Sequence, residues 1–287
     1  MIENRLENKE PTVEAPDDPL PDLDAARFRE EGYLAVPGFF TPRETRALRA
    51  EVERLAREGF LRNVATAGDG KTPSGNQRNL QLCPMYRHSR LFRALPFHPK
   101  VIAAVTQLLG EPVLLHLDQV FLKPPRDGMG TNWHQDNAYF RIADPLMGTA
   151  MWIAIHDATV ANGTLQVIPR VFREALPHER DPFSDHHIRC YPDESQAAPV
   201  ELEAGGVVFF CYGTPHCTRA NTTDRERAGV AFHFLRTDFA AADLKQADRD
   251  YRPHLTGPEA TGGRAEYGEV LAGTWEAEVE WTLAAAP

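Results

Sequence analysis

The sequence predicts a mainly β protein with flanking helices. Many short segments rich in β-branched and aromatic residues follow Pro112, and turn residues such as Asn162-Gly163 separate them. Two segments with apolar residues at helical spacing precede Pro112. Short strands with frequent turns are typical of a β-sandwich or a jelly roll. We therefore expect one of these two architectures, flanked by the N-terminal helices.

Each predicted helix has a recognisable end. Thr41 and Pro42 form a typical N-cap and first helical residue, and the helical spacing continues to Glu58. A second helix is predicted over residues 99–109, where Gly110 ends it. The predicted strands cover residues 113–123, 149–156, 164–168, 206–212 and 227–235.

Composition and charge narrow the class of protein. The 287 residues, 42% hydrophobic and 25% charged, are enough to bury a proper core, and the net charge of -10 argues against binding nucleic acid or an anionic membrane. The sequence contains no apolar run near 18 residues, so no transmembrane helix is expected. Its four cysteines lack C-x-x-C spacing, which favours reduced thiols and a cytoplasmic location.

We predict a single domain over residues 23–287. The polar, Pro-rich residues 1–22 are expected to be a flexible tail. Within the domain, a helical part precedes a strand-rich core at about 113–238, and a C-terminal arm follows, with a helix or a strand at 267–283. The long charged stretch at 173–199 is expected to be a lid.

Three side chains suggest a metal site. His134 and Asp136 are two residues apart, so on an extended strand they would project from the same face. His216 follows a strand-like apolar run that ends at a Gly- and Pro-containing bend. Two imidazoles and one carboxylate form the facial triad of non-haem iron(II) oxygenases, which leaves the opposite face of the metal open.

An arginine eleven residues after His216 adds a second chemical requirement. Arg227 begins a strand-like segment, and its guanidinium could bind a carboxylate in bidentate fashion. A metal triad beside an inward-facing arginine is what a 2-oxoglutarate site requires. His233 lies at alternating spacing from Arg227. A core histidine is the preferred interpretation, and an inward-pointing residue that supports the metal ligands is the alternative.

Further motifs occur in a fixed order along the chain. They are Phe28-Arg29-Glu30-Glu31-Gly32-Tyr33-Leu34, Pro37-Gly38-Phe39-Phe40, Leu122-Lys123-Pro124-Pro125, Trp133-His134-Gln135-Asp136-Asn137, Trp152, Asn162-Gly163-Thr164-Leu165, Val167-Ile168-Pro169, His216 and Arg227. With this order and these gaps, the sequence from about Phe28 to Asp238 resembles the phytanoyl-CoA dioxygenase family of Fe(II)/2-oxoglutarate-dependent oxygenases.

The resemblance implies a double-stranded β-helix (a jelly-roll, cupin-like core) with iron at its open end. It implies that His134, Asp136 and His216 bind iron, that Arg227 holds the 2-oxoglutarate carboxylate and that Trp152 lies against this co-substrate. The weaker candidates for polar contacts to the co-substrate are Thr218 and Gln119, for which ordinary strand residues are the alternative interpretation. The candidate substrate contacts are Gln81, Asn137, Tyr139 and Phe140.

The activity implied by the resemblance is oxidation of an unactivated C–H bond by O2. A small organic molecule (a secondary metabolite, an amino acid-like or an acyl compound) would be hydroxylated or otherwise oxidised, while 2-oxoglutarate is decarboxylated to succinate and CO2. The carboxylate of Asp136 favours this over halogenation. A monomer or homodimer is expected. Two alternatives stay open: a cupin-like barrel with non-redox metal chemistry, and a catalytically inactive small-molecule binding module.

Overall fold

A computed structural model describes residues 21–240 and 252–286 of the chain. Nearly all of the predicted tail, residues 1–22, lies outside these ranges. The α-helices of the described residues are α1 (Ala25–Glu31), α2 (Pro42–Arg57), α3 (Arg90–Ala94), α4 (Pro99–Leu109), α5 (Asn137–Phe140), α6 (Arg264–Tyr267) and α7 (Trp275–Ala285). The strands are β1 (Tyr33–Val36), β2 (Arg62–Asn63), β3 (Leu80–Leu82), β4 (Val113–Lys123), β5 (Thr131–His134), β6 (Gly148–Ala154), β7 (Leu165–Val167), β8 (Glu179–Arg180), β9 (Ile188–Arg189), β10 (Ala198–Pro199), β11 (Val207–Cys211), β12 (His216–Thr218) and β13 (Arg227–Arg236).

The strands form a major and a minor antiparallel sheet. The major sheet has the order β1-β11-β6-β13-β4-β3-β2 and the minor sheet the order β10-β7-β12-β5, while β8 and β9 form a separate ribbon. Apolar side chains of both sheets, such as Trp152 and Phe210 from the major and Val167 from the minor sheet, share one buried cluster. The predicted mainly β fold with a jelly-roll core is confirmed.

The two faces of the major sheet have different neighbours. Val120 and Leu122 of β4 and Phe232 of β13 belong to the large core that also contains the apolar residues of the helices. The opposite face of β4 lines a cavity between the sheets, because successive strand residues point to opposite sides. The cavity-lining residues of this strand are Leu117, Gln119, Phe121 and Lys123.

One buried carboxylate connects three of the helical segments. Glu44 of α2 accepts hydrogen bonds from the Thr41 backbone N–H at 2.8 Å and from Trp275 Nε1 of α7 at 2.6 Å. It is also hydrogen-bonded, at 3.0 Å, to Nε2 of His98, which caps α4. Burial would raise the pKa of Glu44, but the bonds from His98, Thr41 and Trp275 lower it to about 2. Glu44 is therefore ionised, and its hydrogen bonds hold α2, α4 and α7 against one another.

The two predicted helices before Pro112 and the five predicted strands agree with the structure to within two residues at each end. The sequence patterns missed the shorter strands and the helices α1, α3, α5 and α6, whose residues are too few to show periodicity. In the C-terminal arm the expected helix or strand at 267–283 is the helix α7, which packs against α2 and α3. Within the described ranges, no helix has both the length and the apolar character needed to cross a bilayer.

The N-cap of α2 gives a stability prediction. The Thr41 side chain accepts a hydrogen bond from the Glu44 backbone N–H in a capping box, so Thr41→Ala should lower the free energy of unfolding by about 0.5–2 kcal/mol. Urea denaturation followed by circular dichroism measures this change. The matched control is Thr106→Ala in α4, because the buried Thr106 hydroxyl makes no hydrogen bond to any residue of the described ranges. Equal losses in the two variants would contradict the capping role.

Candidate active site

Three donor groups converge at the open end of the minor sheet. His134 is the last residue of β5 and His216 the first of β12, and the two are directly paired in register. Their ring centroids are 4.2 Å apart. Oδ1 of Asp136 lies 3.7 Å from Nε2 of His134 and 3.7 Å from Nε2 of His216. All three residues are buried, and the spacing allows a single metal ion to bind between them.

Asp136 reaches this position by a different route from the one that the sequence suggested. Strand β5 ends at His134, and Asp136 has helical backbone angles (φ -58°, ψ -32°) immediately before α5. The expectation that both side chains share one face of a strand is therefore wrong. Gln135 stabilises the turn between them, because its side-chain amide donates to the Gly213 carbonyl at 2.6 Å.

Backbone carbonyls orient both imidazoles. Nδ1 of His134 donates to the Asn132 carbonyl at 2.8 Å, and Nδ1 of His216 donates to the Thr214 carbonyl at 3.0 Å. Each Nε2 is then left with a lone pair directed towards Asp136, which is the usual arrangement of metal-binding histidines. Burial lowers the pKa of both rings, that of His134 to about 3, so both are neutral ligands at neutral pH.

The charge of Asp136 also suits a metal ligand. Burial alone would raise the pKa of this carboxyl group, but His216, His233 and His134 lower it below its usual range. Asp136 is therefore ionised. One anionic oxygen and two neutral nitrogens form a donor set of the kind that binds divalent iron, and they come from one side of the ion.

A cavity of about 370 Å³ begins at the three donors. Most of the candidate co-substrate and substrate residues line it, namely Gln81, Gln119, Tyr139, Phe140, Trp152, Thr218 and Arg227. Asn137 is a correction to this set: its side chain donates to the Ile142 carbonyl and accepts from the Ile142 N–H, so it stabilises a turn outside the cavity. The roles of the lining residues stay predictions.

Arg227 lies in the wall of the cavity with 1% of its surface exposed. Its Nε donates to the Asn162 carbonyl at 3.4 Å and its Nη2 to the Gly163 carbonyl, while Nη1 makes no hydrogen bond within the described residues. The guanidinium also lies over the Trp152 ring, 5.6 Å from its centroid. Burial lowers the pKa of Arg227 to about 10, which leaves it charged at neutral pH.

Lys123 is a second buried basic residue that the sequence did not single out as a ligand-binding residue. It is the direct cross-strand partner of Arg227, and its Nζ donates to the Gly163 carbonyl at 3.3 Å and to the Arg219 carbonyl. Burial and the charge of Arg227 lower the pKa of Lys123 well below its usual range. Among the described residues, neither Arg227 nor Lys123 has a carboxylate partner.

The segment at 173–199 supplies part of the outer cavity wall. His186 and His187 line the cavity, together with Arg62 from β2. Arg62 forms an ion pair with Asp185 of this segment, and Tyr139 accepts a hydrogen bond from the backbone N–H of Ile188, the first residue of β9, at 2.9 Å. Sequence patterns did not indicate that Arg62, His186 and His187 line the cavity, since a charged, proline-rich stretch does not reveal which side chains turn inward.

His233 takes the alternative of its two expected places. A core histidine was the preferred interpretation, but His233 lines the cavity, and its Nε2 lies 3.1 Å from Oδ2 of Asp136. The alternating spacing from Arg227 was the signal for this alternative, because both side chains project from one face of β13.

Sequence comparison agrees with this geometry. The model of the family described as phytanoyl-CoA dioxygenase (PhyH) matches residues 28–229 of this chain. The chain belongs to the phytanoyl-CoA dioxygenase family.

Individual members of the family resemble this chain over most of its length. The ectoine dioxygenase of Halomonas elongata is 28% identical over 256 residues, which cover 81% of this chain and 76% of that protein. The methylphosphonate hydroxylase of Gimesia maris is 28% identical over 261 residues, covering 85% and 91% of the two chains. The crystal structure of EctD from S. alaskensis with 2-oxoglutarate and 5-hydroxyectoine has the same fold, with a TM-score of 0.61, 20% identity, and coverage of 78% of this chain and 79% of that one.

A second cluster of residues of the types that bind metals is not arranged to bind one in this protein. Glu53, His156 and Glu226 lie close together near the surface. The Nδ1 of His156 accepts a hydrogen bond from the Ala228 N–H at 3.1 Å, so its Nε2 carries the proton and faces Glu226. A protonated nitrogen has no lone pair for a metal, and the group is a polar cluster at the end of β6.

Close packing against Trp152 gives a prediction for the site. A Cβ on Gly229 would lie 2.5 Å from the indole Nε1 of Trp152. Gly229→Ala should therefore displace the indole and lower the free energy of unfolding by about 1–3 kcal/mol, measured by urea denaturation together with tryptophan fluorescence. Gly75→Ala is the control, because a Cβ there has no neighbour within 4 Å. An unchanged emission spectrum in Gly229→Ala would contradict the close contact.

Proposed function

We propose that this protein is an Fe(II)- and 2-oxoglutarate-dependent dioxygenase that hydroxylates, or otherwise oxidises, an unactivated C–H bond of a small organic molecule. Decarboxylation of 2-oxoglutarate to succinate and CO2 accompanies the reaction. The observation that carries the proposal is the presence of two elements in one cavity: a 2-His-1-carboxylate set and the buried Arg227 guanidinium, which lies beside Lys123 and has no carboxylate partner among the described residues.

The donor set fits ferrous iron. The free Nε2 atoms of His134 and His216 and the Oδ1 atom of Asp136 face one point. Three protein ligands on one side leave the remaining positions of an octahedral ion for co-substrate and oxygen. Bound iron supplies the one-electron chemistry with O2 that protein side chains lack.

The two buried basic residues, Arg227 and Lys123, fit a dicarboxylate. Leaving a buried charge without a partner is costly, and a ligand carboxylate beside Arg227 and Lys123 would offset that cost. Nη1 of Arg227 is available for such a bond, and Trp152 restricts the guanidinium from one side. A second carboxylate at the far end of the same ligand could then reach the metal position.

The remaining cavity residues hold the substrate and exclude water. Phe121, Phe140 and Leu117 provide apolar walls, whereas Gln81 and Gln119 form an amide pair in which Gln81 Nε2 donates to Gln119 Oε1 at 2.9 Å. Walls of this kind suit a small, partly polar molecule. Relatives named ectoine dioxygenase and methylphosphonate hydroxylase support a small-molecule substrate for this chain as well.

An anaerobic titration tests the proposal. Adding Fe(II) and 2-oxoglutarate to the metal-free protein should produce a visible metal-to-ligand charge-transfer band, and exposure to oxygen should then form succinate. Asp136→Ala should lose both signals, because it removes the only anionic ligand of the triad. A protein that gives neither the band nor succinate would instead be a non-redox metal barrel or a binding module.

Removing the guanidinium gives a quantitative prediction. Arg227→Met should weaken 2-oxoglutarate binding at least roughly 30-fold, or about 2 kcal/mol, because a buried charge pair loses one partner. Calorimetry or titration of the charge-transfer band measures this change. Arg49→Met is the control, since Arg49 also donates to a backbone carbonyl, that of Ile155, but lies outside the cavity. Equal affinities of Arg227→Met and wild type would contradict the assigned role.

A further inference from the structure

The two oxygens of the Asp136 carboxylate have different surroundings. Oδ1 faces Nε2 of His134 and of His216, whereas Oδ2 lies 3.1 Å from Nε2 of His233. Within the described residues, the bond to His233 is the only hydrogen bond of this carboxylate, because Asp136 does not cap α5 with its side chain. His233 is therefore the one group that fixes the rotation of the carboxylate about its Cβ–Cγ bond.

The surroundings of His233 determine the direction of this hydrogen bond. A carboxylate oxygen can only accept, so Nε2 of His233 must carry the proton and donate it. Nδ1 is buried and has no hydrogen-bond partner among the described residues, and the ring centroids of Phe140 and Tyr212 lie 5.6 Å and 6.0 Å from that of His233. A buried lone pair without a partner costs less than a buried N–H without one, so the unpartnered Nδ1 favours the same tautomer.

Strand geometry holds the imidazole in place. His233 lies on β13 with 3% of its surface exposed, and its strand is paired on both sides, with β4 and with β6. Arg227, Ala231 and His233 line the cavity from one face of this strand. The strand that provides the co-substrate arginine of the proposed function thus also provides the donor to the metal-binding carboxylate.

We propose that His233 is a positioning residue that holds Asp136 in single-oxygen coordination of the metal. With Oδ2 turned towards His233, Oδ1 is the oxygen that faces the Nε2 atoms of both histidine ligands and is placed to bind the ion. A carboxylate that bound through both oxygens would occupy an extra position, which the co-substrate and oxygen need. This inference rests on the proposed function, since it concerns the same metal site.

The test measures metal binding and does not depend on turnover. Apoprotein is titrated with Co(II), and the visible d–d absorption reports both the affinity and the coordination of the ion. His233→Leu removes the donor. His233→Gln restores an N–H near the former Nε2 position.

His116→Leu is the matched control. His116 lies on the neighbouring strand β4, is equally buried, packs on Phe140 and hydrogen-bonds to the Tyr212 hydroxyl at 3.1 Å, but among the described residues it forms no hydrogen bond to a metal ligand. Its replacement should disturb the same aromatic neighbours while leaving the hydrogen bond between His233 and Asp136 in place.

His233→Leu should bind Co(II) about 10- to 100-fold more weakly than wild type, the usual loss when a hydrogen bond to a metal ligand is removed. Its d–d spectrum should also change, because Oδ2 becomes free to bind. His233→Gln should stay within about threefold of wild type, and His116→Leu should match wild type.

Two results would overturn the inference and leave the proposed function standing. One is wild-type Co(II) affinity and spectrum in His233→Leu, and the other is an equal loss of affinity in His116→Leu. Failure of the wild-type protein itself to bind Co(II) is a different result, which would remove the proposed function and the inference together.

Discussion

The site depends on the cross-strand pairing of two histidines. His134 ends one strand of the minor sheet and His216 begins the next, and their direct register places both rings side by side. A slip of one residue would turn one ring to the opposite face. The backbone carbonyls that accept from the two Nδ1 atoms belong to residues two positions before each histidine, so the same local geometry that sets the register also orients the rings.

The cavity has an acidic group at one end and basic groups at the other. Asp136 provides negative charge among histidines, and Arg227 and Lys123 place two basic groups on adjacent strands without an acidic neighbour. A ligand with an acidic group at each end, one for the cations and one for a metal, complements such an arrangement.

Local patterns predicted the regular elements well but not the irregular parts of the site. Residues 113–123 were predicted as a strand with correct bounds because eleven residues give a clear β-type composition. Asp136 was correctly chosen but wrongly placed on a strand, since the turn after His134 depends on the distant Gly213 carbonyl. Lys123 belonged to a recognised motif but was not assigned a role, and His187 was not chosen, because inward orientation at a strand end or in a loop depends on packing.

Residue types, the strand-like and helical segments and the order of the motifs indicated the fold class and the candidate donor groups: two imidazoles, one carboxylate and one guanidinium. These are properties of the sequence alone, whereas the shared strand face expected of His134 and Asp136 was wrong because the chain turns after His134. Only the tertiary structure decided that Oδ2 of Asp136 bonds to His233 and that Lys123 lies beside Arg227. Each of these contacts joins residues far apart in the chain, and sheet pairing, which no local pattern encodes, brings them together.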